Sequence, residues 1–251
     1  MFEQIELFLI SLIANTFSAF SGGGAGLLQF PALIFLGLPF AVALATHKVA
    51  SVALGVGAAF RHYKERNLHL KLSVLMVVSG VPGVLIGAWG ILSVPERLAQ
   101  ISLGVLTISL GIYSFLKPNL GTYHYFRDMS RKQYVTAGIG LFLIGILNGS
   151  LTSGTGLFVT LWLVTHLKLD YQRAVAHTLV WVGIVWNGSG AGLLGVIGQV
   201  HWSWLPALLI GSLLGGYLGA HLSIKKGNKM IKRAFECVTI AVGLALLIKA
   251  M

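Results

Sequence analysis

The chain carries little charge, and most of that charge is of one sign. Of its 251 residues, 10% are charged, with 7 acidic against 18 basic side chains, and 56% are hydrophobic. So few polar side chains cannot cover the surface of a water-soluble globule of this size. Together with a mean hydropathy of +0.84, this composition predicts a membrane protein with no separate soluble domain.

Cysteine is scarce as well. Cys237 is the one cysteine in the sequence, which excludes an internal disulfide and a cysteine metal cluster. The N-terminus has Glu3 and Glu6 where a signal peptide has basic residues, so we expect it to be mature sequence. The basic residues do not form a face with interleaved aromatic side chains, so nucleic-acid binding is not predicted. No motif indicates a cofactor or a resident metal, and none is expected.

Long apolar runs dominate what is present. Because they are unbroken rather than alternating, they predict transmembrane helices and not barrel strands. The predicted fold is an all-α polytopic membrane protein that forms a single transport domain over 1–251. Its ten apolar segments are 5–20, 27–38, 41–60, 72–92, 98–116, 134–149, 156–167, 174–197, 202–222 and 231–250.

Lysine and arginine cluster in three connections, at 61–71, 117–133 and 223–233. Basic loops stay in the cytoplasm, so these connections are expected inside and both termini outside a cytoplasmic (inner) membrane. Anionic lipid headgroups are expected partners of such loops.

The sequence pattern predicts that the chain consists of two related halves. Each half is predicted to hold a hairpin of two short segments followed by three crossings, and an odd number of crossings inverts the second copy. Gly26 then corresponds to Gly156 and His69 to His201, and glycines of the later helices also correspond. We expect inverted repeats at about 5–116 and 134–250, joined by a cytoplasmic linker at 117–133.

Glycine-rich breaks interrupt the apolar sequence at matching places in the two halves, SGGGAG from Ser21 and TSGTG from Thr152. A helix that begins inside the membrane presents amide donors and a partial positive charge. Such a helix end suits an anion, although glycine is also compatible with a simple tight turn whose amides find water or carbonyl partners.

Two further motifs flank the breaks, ATHK with Thr46, His47 and Lys48, and AHT with His177 and Thr178. Lys48 is predicted to be the one basic residue well inside a span. Either its charge is neutralised by an anionic substrate, or its side chain snorkels to the membrane surface. Either histidine is a candidate for coupling transport to protons. All seven carboxylates are expected at segment ends or in loops, which favours an anion path. The predicted substrate-binding residues are Gly22, Gly23, Gly24, Gln29, Thr46, His47, Lys48, Asn148, Ser153, Gly154, Thr155, His177, Thr178 and Trp181.

The run GGGAGLLQFP, the ATHK motif about twenty residues later and the inverted second copy resemble the sulfite exporter TauE/SafE family, also called TSUP. The resemblance covers nearly the whole chain. Family members usually have asparagine where this chain has His47, and the second copy departs further from the family pattern. The resemblance implies transport of sulfite, organosulfonates or related sulfur-containing anions across the cytoplasmic membrane.

The sequence therefore predicts a secondary transporter that moves a small sulfur-containing anion by alternating access, in either direction. An anion channel that uses the same helix ends is the alternative. We do not expect an enzyme, because neither Ser150, Ser153, Ser189 nor the histidines form a recognisable pair of nucleophile and base.

Overall fold

The computed structural model describes residues 2–23, 26, 28–63, 65, 68–90, 95–121, 130–152, 154–197 and 200–250. Within these ranges all regular secondary structure is helical. The α-helices are α1 (Phe2–Ser21), α2 (Gln29–Phe35), α3 (Phe40–Tyr63), α4 (Leu70–Gly90), α5 (Glu96–Phe115), α6 (Arg131–Ser150), α7 (Thr155–His166), α8 (Tyr171–His177), α9 (Asn187–Ile197) and α10 (Leu205–Ala250).

These helices confirm an all-α polytopic membrane protein. In the described part of the chain, six helical stretches are long and apolar enough to cross a bilayer. Helix α10 covers the last two predicted segments, and its φ of 74° at Gly227 separates them. Glycine tolerates this left-handed backbone angle, which lets the chain turn between the two parts.

The first and second halves exchange packing partners. Helix α1 packs on the first part of α10, and α6 packs on α4. At each interface glycines let the backbones approach, as expected for helices that associate in lipid. A Cβ atom on Gly83 would lie 2.2 Å from the Phe142 carbonyl oxygen, and one on Gly87 would lie 2.0 Å from that of Ile146.

The same contacts recur about 130 residues away. A Cβ atom on Gly215 would lie 2.8 Å from the Leu12 carbonyl oxygen, and one on Gly219 would lie 2.4 Å from that of Thr16. Each of these four residues corresponds to its counterpart in the first pair of contacts at an offset of 130 or 132 residues. Equivalent glycines therefore contact equivalent carbonyl groups in the two interfaces.

The segment between α8 and α9, Thr178–Trp186, is π-helical. It crosses α3 where Gly55 faces Gly183, and a Cβ atom on Gly55 would lie 2.8 Å from the Gly183 carbonyl carbon. Farther along, the buried Trp186 ring packs on Gly80, and its Nε1 donates a hydrogen bond to the Met76 carbonyl oxygen at 2.9 Å. These contacts hold α3, the π-helical segment and α4 together at the centre of the molecule.

Candidate functional site

Both glycine-rich stretches interrupt helices as the sequence predicts. Helix α1 ends at Ser21, Gly22 has a φ of 76°, and α2 begins at Gln29. Helix α6 ends at Ser150, and α7 begins at Thr155 after Gly154, whose φ is 72°. Thr152 also has a positive φ, 53°, which is a strained conformation for a β-branched residue. Strain of this kind is often found at ligand sites.

The two breaks meet. A Cβ atom on Gly26, in the first break, would lie 2.7 Å from the Thr152 carbonyl oxygen of the second break. The same position would lie 3.3 Å from Nε2 of His47. The first break, the second break and α3 therefore converge around one point, and a side chain at position 26 would fill it.

Lys48 extends from α3 to this convergence and is 0% exposed. Its Nζ donates to the Asn148 carbonyl oxygen at 2.8 Å and lies 3.2 Å from Asn148 Oδ1, 3.3 Å from Asn187 Oδ1 and 3.4 Å from Thr152 Oγ1. All these acceptors are neutral. A Cβ atom on Gly190 would lie 2.9 Å from Lys48 Cδ, so the glycine makes room for the lysine chain.

This burial excludes the alternative that Lys48 snorkels to the surface. The expectation that Lys48 is the one basic residue well inside a span stays a prediction. Lys232, in the basic stretch at 223–233, is 7% exposed and forms an ion pair with Glu236. Because this pair is one helical turn apart, each charge neutralises the other, whereas Lys48 forms no ion pair within the described residues.

The oxygens around Lys48 are themselves fixed by hydrogen bonds. Asn148 Nδ2 donates to Thr155 Oγ1 at 2.9 Å, and the Thr155 hydroxyl donates to the Thr152 carbonyl oxygen at 2.8 Å. These bonds connect the end of α6 to the start of α7. They orient the Asn148 amide so that its oxygen faces the ammonium group.

His47 lies on the other side of the convergence and is also 0% exposed. Its Nδ1 lies 2.9 Å from Gln29 Oε1, and Gln29 Nε2 lies 2.8 Å from Ser11 Oγ and 3.1 Å from Ser212 Oγ. Nε2 of His47 is buried and has no hydrogen-bond partner among the described residues. This nitrogen is available to a ligand.

In the second half, Thr160 Oγ1 lies 2.9 Å from Thr178 Oγ1 and 2.9 Å from the Gly22 carbonyl oxygen. The pair Thr160 and Thr178 is separated by 18 residues, as is the pair Gln29 and His47. Hydroxyl groups thus stand in the second half where the first half has an amide and an imidazole.

Two backbone amides each donate a hydrogen bond to a side chain in the other half of the chain, one to α3 and one to α8. The His201 amide donates to Thr46 Oγ1 at 2.9 Å, and the His69 amide donates to His177 Nε2 at 3.0 Å. Thr46 corresponds to His177 and His69 to His201 at offsets of 131 and 132 residues. The two contacts are therefore equivalent, and they lie in the connections before α10 and α4.

Several predicted residues meet at this site, namely Gln29, His47, Lys48, Asn148 and Thr155. Trp181 is not among them, because it packs against the apolar core. Gly24 and Ser153 lie outside the described residues. Thr152, Asn187, Ser11, Ser212 and Thr160 were absent from the predicted set and belong to its hydrogen-bond network. Ser11 and Asn15 could have been found, since polar residues four apart share one helix face.

Comparisons with known proteins identify the family to which the chain belongs. The family model described as "Sulfite exporter TauE/SafE" matches residues 7–246. A "Probable membrane transporter protein ORF9" of Sinorhizobium sp is 31% identical, over 96% of this chain and 91% of that protein. A "Probable membrane transporter protein" of Haemophilus influenzae is 29% identical over 90% and 87% of the two chains. The Escherichia coli protein YfcA, named in the same way, is 28% identical over 96% and 88%. The chain belongs to the sulfite exporter TauE/SafE family of membrane proteins.

Proposed function

We propose that the protein is a secondary transporter that moves a small sulfur-containing anion across the cytoplasmic membrane by alternating access. The cargo is an organosulfonate, sulfite or a related oxyanion, and the protein is not an enzyme. One observation carries the proposal: Lys48 is fully buried between the two helix breaks among neutral oxygen atoms.

Among the residues that the structure describes, no negative charge compensates an ammonium group in this position. Taking a charge out of water costs several kcal/mol, and neutral oxygens return only part of that free energy. Of the carboxylates, Glu65, Asp170 and Glu236 pair with arginine or lysine away from the site. A small anion beside Lys48 would supply the missing charge and replace its weaker side-chain oxygen contacts.

The surroundings suit a compact oxyanion. Helix α7 begins beside Lys48 at Thr155, and no side chain caps its first amides. The Thr155 and Leu157 amides donate to the Thr152 and Gly154 carbonyl oxygens. A sulfonate or sulfite oxygen is therefore attracted by the Lys48 ammonium group and by the positive end of the α7 dipole. The names of the family and of the relatives, which mention sulfite export and membrane transport, support this class of cargo.

Alternating access requires two gates around one site, and the proposed inverted repeats at 5–116 and 134–250, joined by the linker 117–133, would supply them. The recurrence of equivalent glycine contacts supports this division. The two amide contacts, His201 to Thr46 and His69 to His177, are suited to closing the site from opposite sides. We assign the side of His69 and both repeats' basic loops to the cytoplasm, and both termini to the outside, from the lysine and arginine distribution.

The buried state of the site favours a transporter over a channel. Lys48, His47 and Thr155 are all 0% exposed, which is the closed state that an alternating mechanism passes through. An open channel would instead need a continuous aqueous path. Recording currents across planar bilayers separates the two, since single-channel steps would contradict the transporter.

Flux measurements in proteoliposomes test the proposal. The screen covers sulfite, thiosulfate, taurine, sulfoacetate and an aromatic sulfonate, with an imposed pH gradient as a second variable. At least one anion should show saturable flux that Lys48→Ala reduces about a hundredfold or more, as expected when a buried charge partner is removed. Flux that ignores the pH gradient would refute coupling to protons.

A matched control uses the other buried lysine. The double variant Lys232→Met with Glu236→Gln removes a buried cation together with its own partner, far along the chain from the site. It should keep its substrate affinity. If Lys48→Ala transports like the native protein, or if the double variant loses affinity to the same extent, the assignment of Lys48 fails.

A further inference from the structure

A chain of hydrogen bonds fixes the direction in which His47 offers its proton. It begins at the Leu208 carbonyl oxygen, which can only accept. The Ser11 hydroxyl donates its single hydrogen there, at 2.8 Å. Ser11 Oγ therefore presents lone pairs to its other neighbours, which include Gln29 and Asn15.

The orientation of the Gln29 amide follows from this. Its atom 2.8 Å from Ser11 Oγ must be a donor, so that atom is Nε2. The amide oxygen then faces His47 Nδ1 at 2.9 Å and can only accept. His47 Nδ1 consequently carries the hydrogen, and in the neutral ring the buried Nε2 has a lone pair.

A nitrogen lone pair repels an anion and cannot donate a hydrogen bond to it. Nε2 lies at the convergence of the two breaks, beside Gly26 and the Thr152 carbonyl oxygen, and that oxygen can only accept a hydrogen bond. An oxyanion in contact with Nε2 is repelled by the neutral ring. It is attracted once Nε2 gains a proton, which either the solution or a protonated substrate can supply.

We propose that Gln29 is a positioning residue that locks the His47 tautomer, so that each anion bound at the site brings one proton to His47 Nε2. This inference rests on the proposed function, because it deepens the anion site of that function. The proton comes from solution or from an acid form of the substrate, and it leaves with the anion.

The groups that face His47 allow this assignment to be tested cleanly. Lys48 is the charged neighbour on α3, and α1, α2 and α10 contribute Ser11, Gln29, Phe30 and Ser212, which do not titrate in the neutral range. In the described part of the chain no carboxylate faces the ring. Proton uptake that depends on position 47 is therefore attributable to the imidazole.

Isothermal titration calorimetry of the purified protein in two buffers of different ionisation enthalpy measures the protons taken up. The probes are methanesulfonate and thiosulfate, whose own charges are constant in the neutral range. The native protein should take up about one proton for each anion, and its affinity should weaken about tenfold for each pH unit on the alkaline side.

Two variants make the result specific. His47→Asn provides a neutral N–H donor, so binding should persist with no proton uptake. Gln29→Leu frees the ring to carry its hydrogen on Nε2, so uptake should fall toward zero while binding remains. The control His166→Gln alters a histidine that stacks on Trp162 and bonds to Thr136, and it should keep the native proton count.

The outcomes distinguish this inference from the proposed function. Native binding without proton uptake, or unchanged uptake in His47→Asn, overturns the role of His47 and leaves the anion site standing. Native-like uptake in Gln29→Leu overturns the tautomer lock. Failure of both probes to bind, with no flux of any sulfur anion, overturns the proposed function and this inference together.

Discussion

Helix α3 and the helical stretch from α8 through the π-helical segment hold corresponding positions in the two halves, yet they differ in chemistry. Helix α3 is a regular α-helix that carries Thr46, His47 and Lys48 in succession. The corresponding stretch has His177, Thr178 and Leu179, and it becomes π-helical immediately after His177. The two halves have matching glycine and amide contacts but do not have matching charge.

This difference shows which features serve the fold and which serve the site. Glycine contacts and the amide contacts of His69 and His201 occur in both halves, so they belong to the shared scaffold. Lys48 and the pair of Gln29 and His47 occur in the first half alone. The corresponding pair, Thr160 and Thr178, has hydroxyl groups, and Leu179 packs in the apolar core. We infer that one half carries the charge and that the other supplies the neutral oxygens that surround it.

The largest effect is expected from placing a cation in the second half. Leu179 is 1% exposed and packs among apolar residues, so Leu179→Lys buries an ammonium group without oxygen partners. We expect the free energy of unfolding to fall by about 3–5 kcal/mol, as for other unpaired buried charges. Thermal unfolding in detergent measures it, with Leu179→Met as the control, which should cost less than about 1.5 kcal/mol. A stable Leu179→Lys protein would show that the two positions are electrostatically equivalent.

A smaller effect, equal in the two halves, is expected at the exchanged helix interfaces. A methyl group on Gly87 or on Gly219 would meet a backbone carbonyl oxygen at 2.0 or 2.4 Å. Each alanine variant should lower the free energy of unfolding by about 1–3 kcal/mol, because the helices must move apart. Gly192→Ala is the control, since a Cβ atom there meets open space. A large effect at one interface and none at the other would contradict the proposed repeats.

The third prediction concerns the amide contacts that close the site. Thr46→Val leaves the His201 amide without its acceptor, and His177→Leu does the same to His69. Losing such a bond costs about 1–3 kcal/mol, so each variant should favour opening on its own side about tenfold. An introduced Thr155→Cys thiol, in a Cys237→Ser background, reports opening when impermeant maleimide is added to one face at a time.

The two variants should increase labelling from opposite faces of the membrane. Thr165→Val is a suitable control, because that hydroxyl bonds within its own helix. If both variants increase labelling from the same face, the two contacts are not opposite gates.

The sequence predicted the fold well because apolar runs and glycine breaks are local signals. Breaks at Ser21 and Thr152 could be located since glycine interrupts an otherwise apolar helix. The π-helical segment Thr178–Trp186 could not be predicted, because no residue pattern in its sequence distinguishes a π-helix from an α-helix. Its geometry depends on tertiary contacts such as the packing of Trp186 on Gly80.

The site was predicted in part. The sequence identified Lys48, His47 and Asn148 as polar residues within apolar segments, and the structure brings them into one region. The role of Ser212 was out of reach, because its contact with Ser11 spans 201 residues of sequence.

We propose that a small anion neutralises Lys48 between the two helix breaks. An experimental structure of the protein in lipid nanodiscs with a bound sulfonate or sulfite would test this proposal. We expect an oxyanion within about 2.7–2.9 Å of Lys48 Nζ, with at least one side-chain oxygen of Asn148, Thr152 or Asn187 displaced. A structure in which Lys48 keeps all its present oxygen partners while the anion binds elsewhere would contradict it.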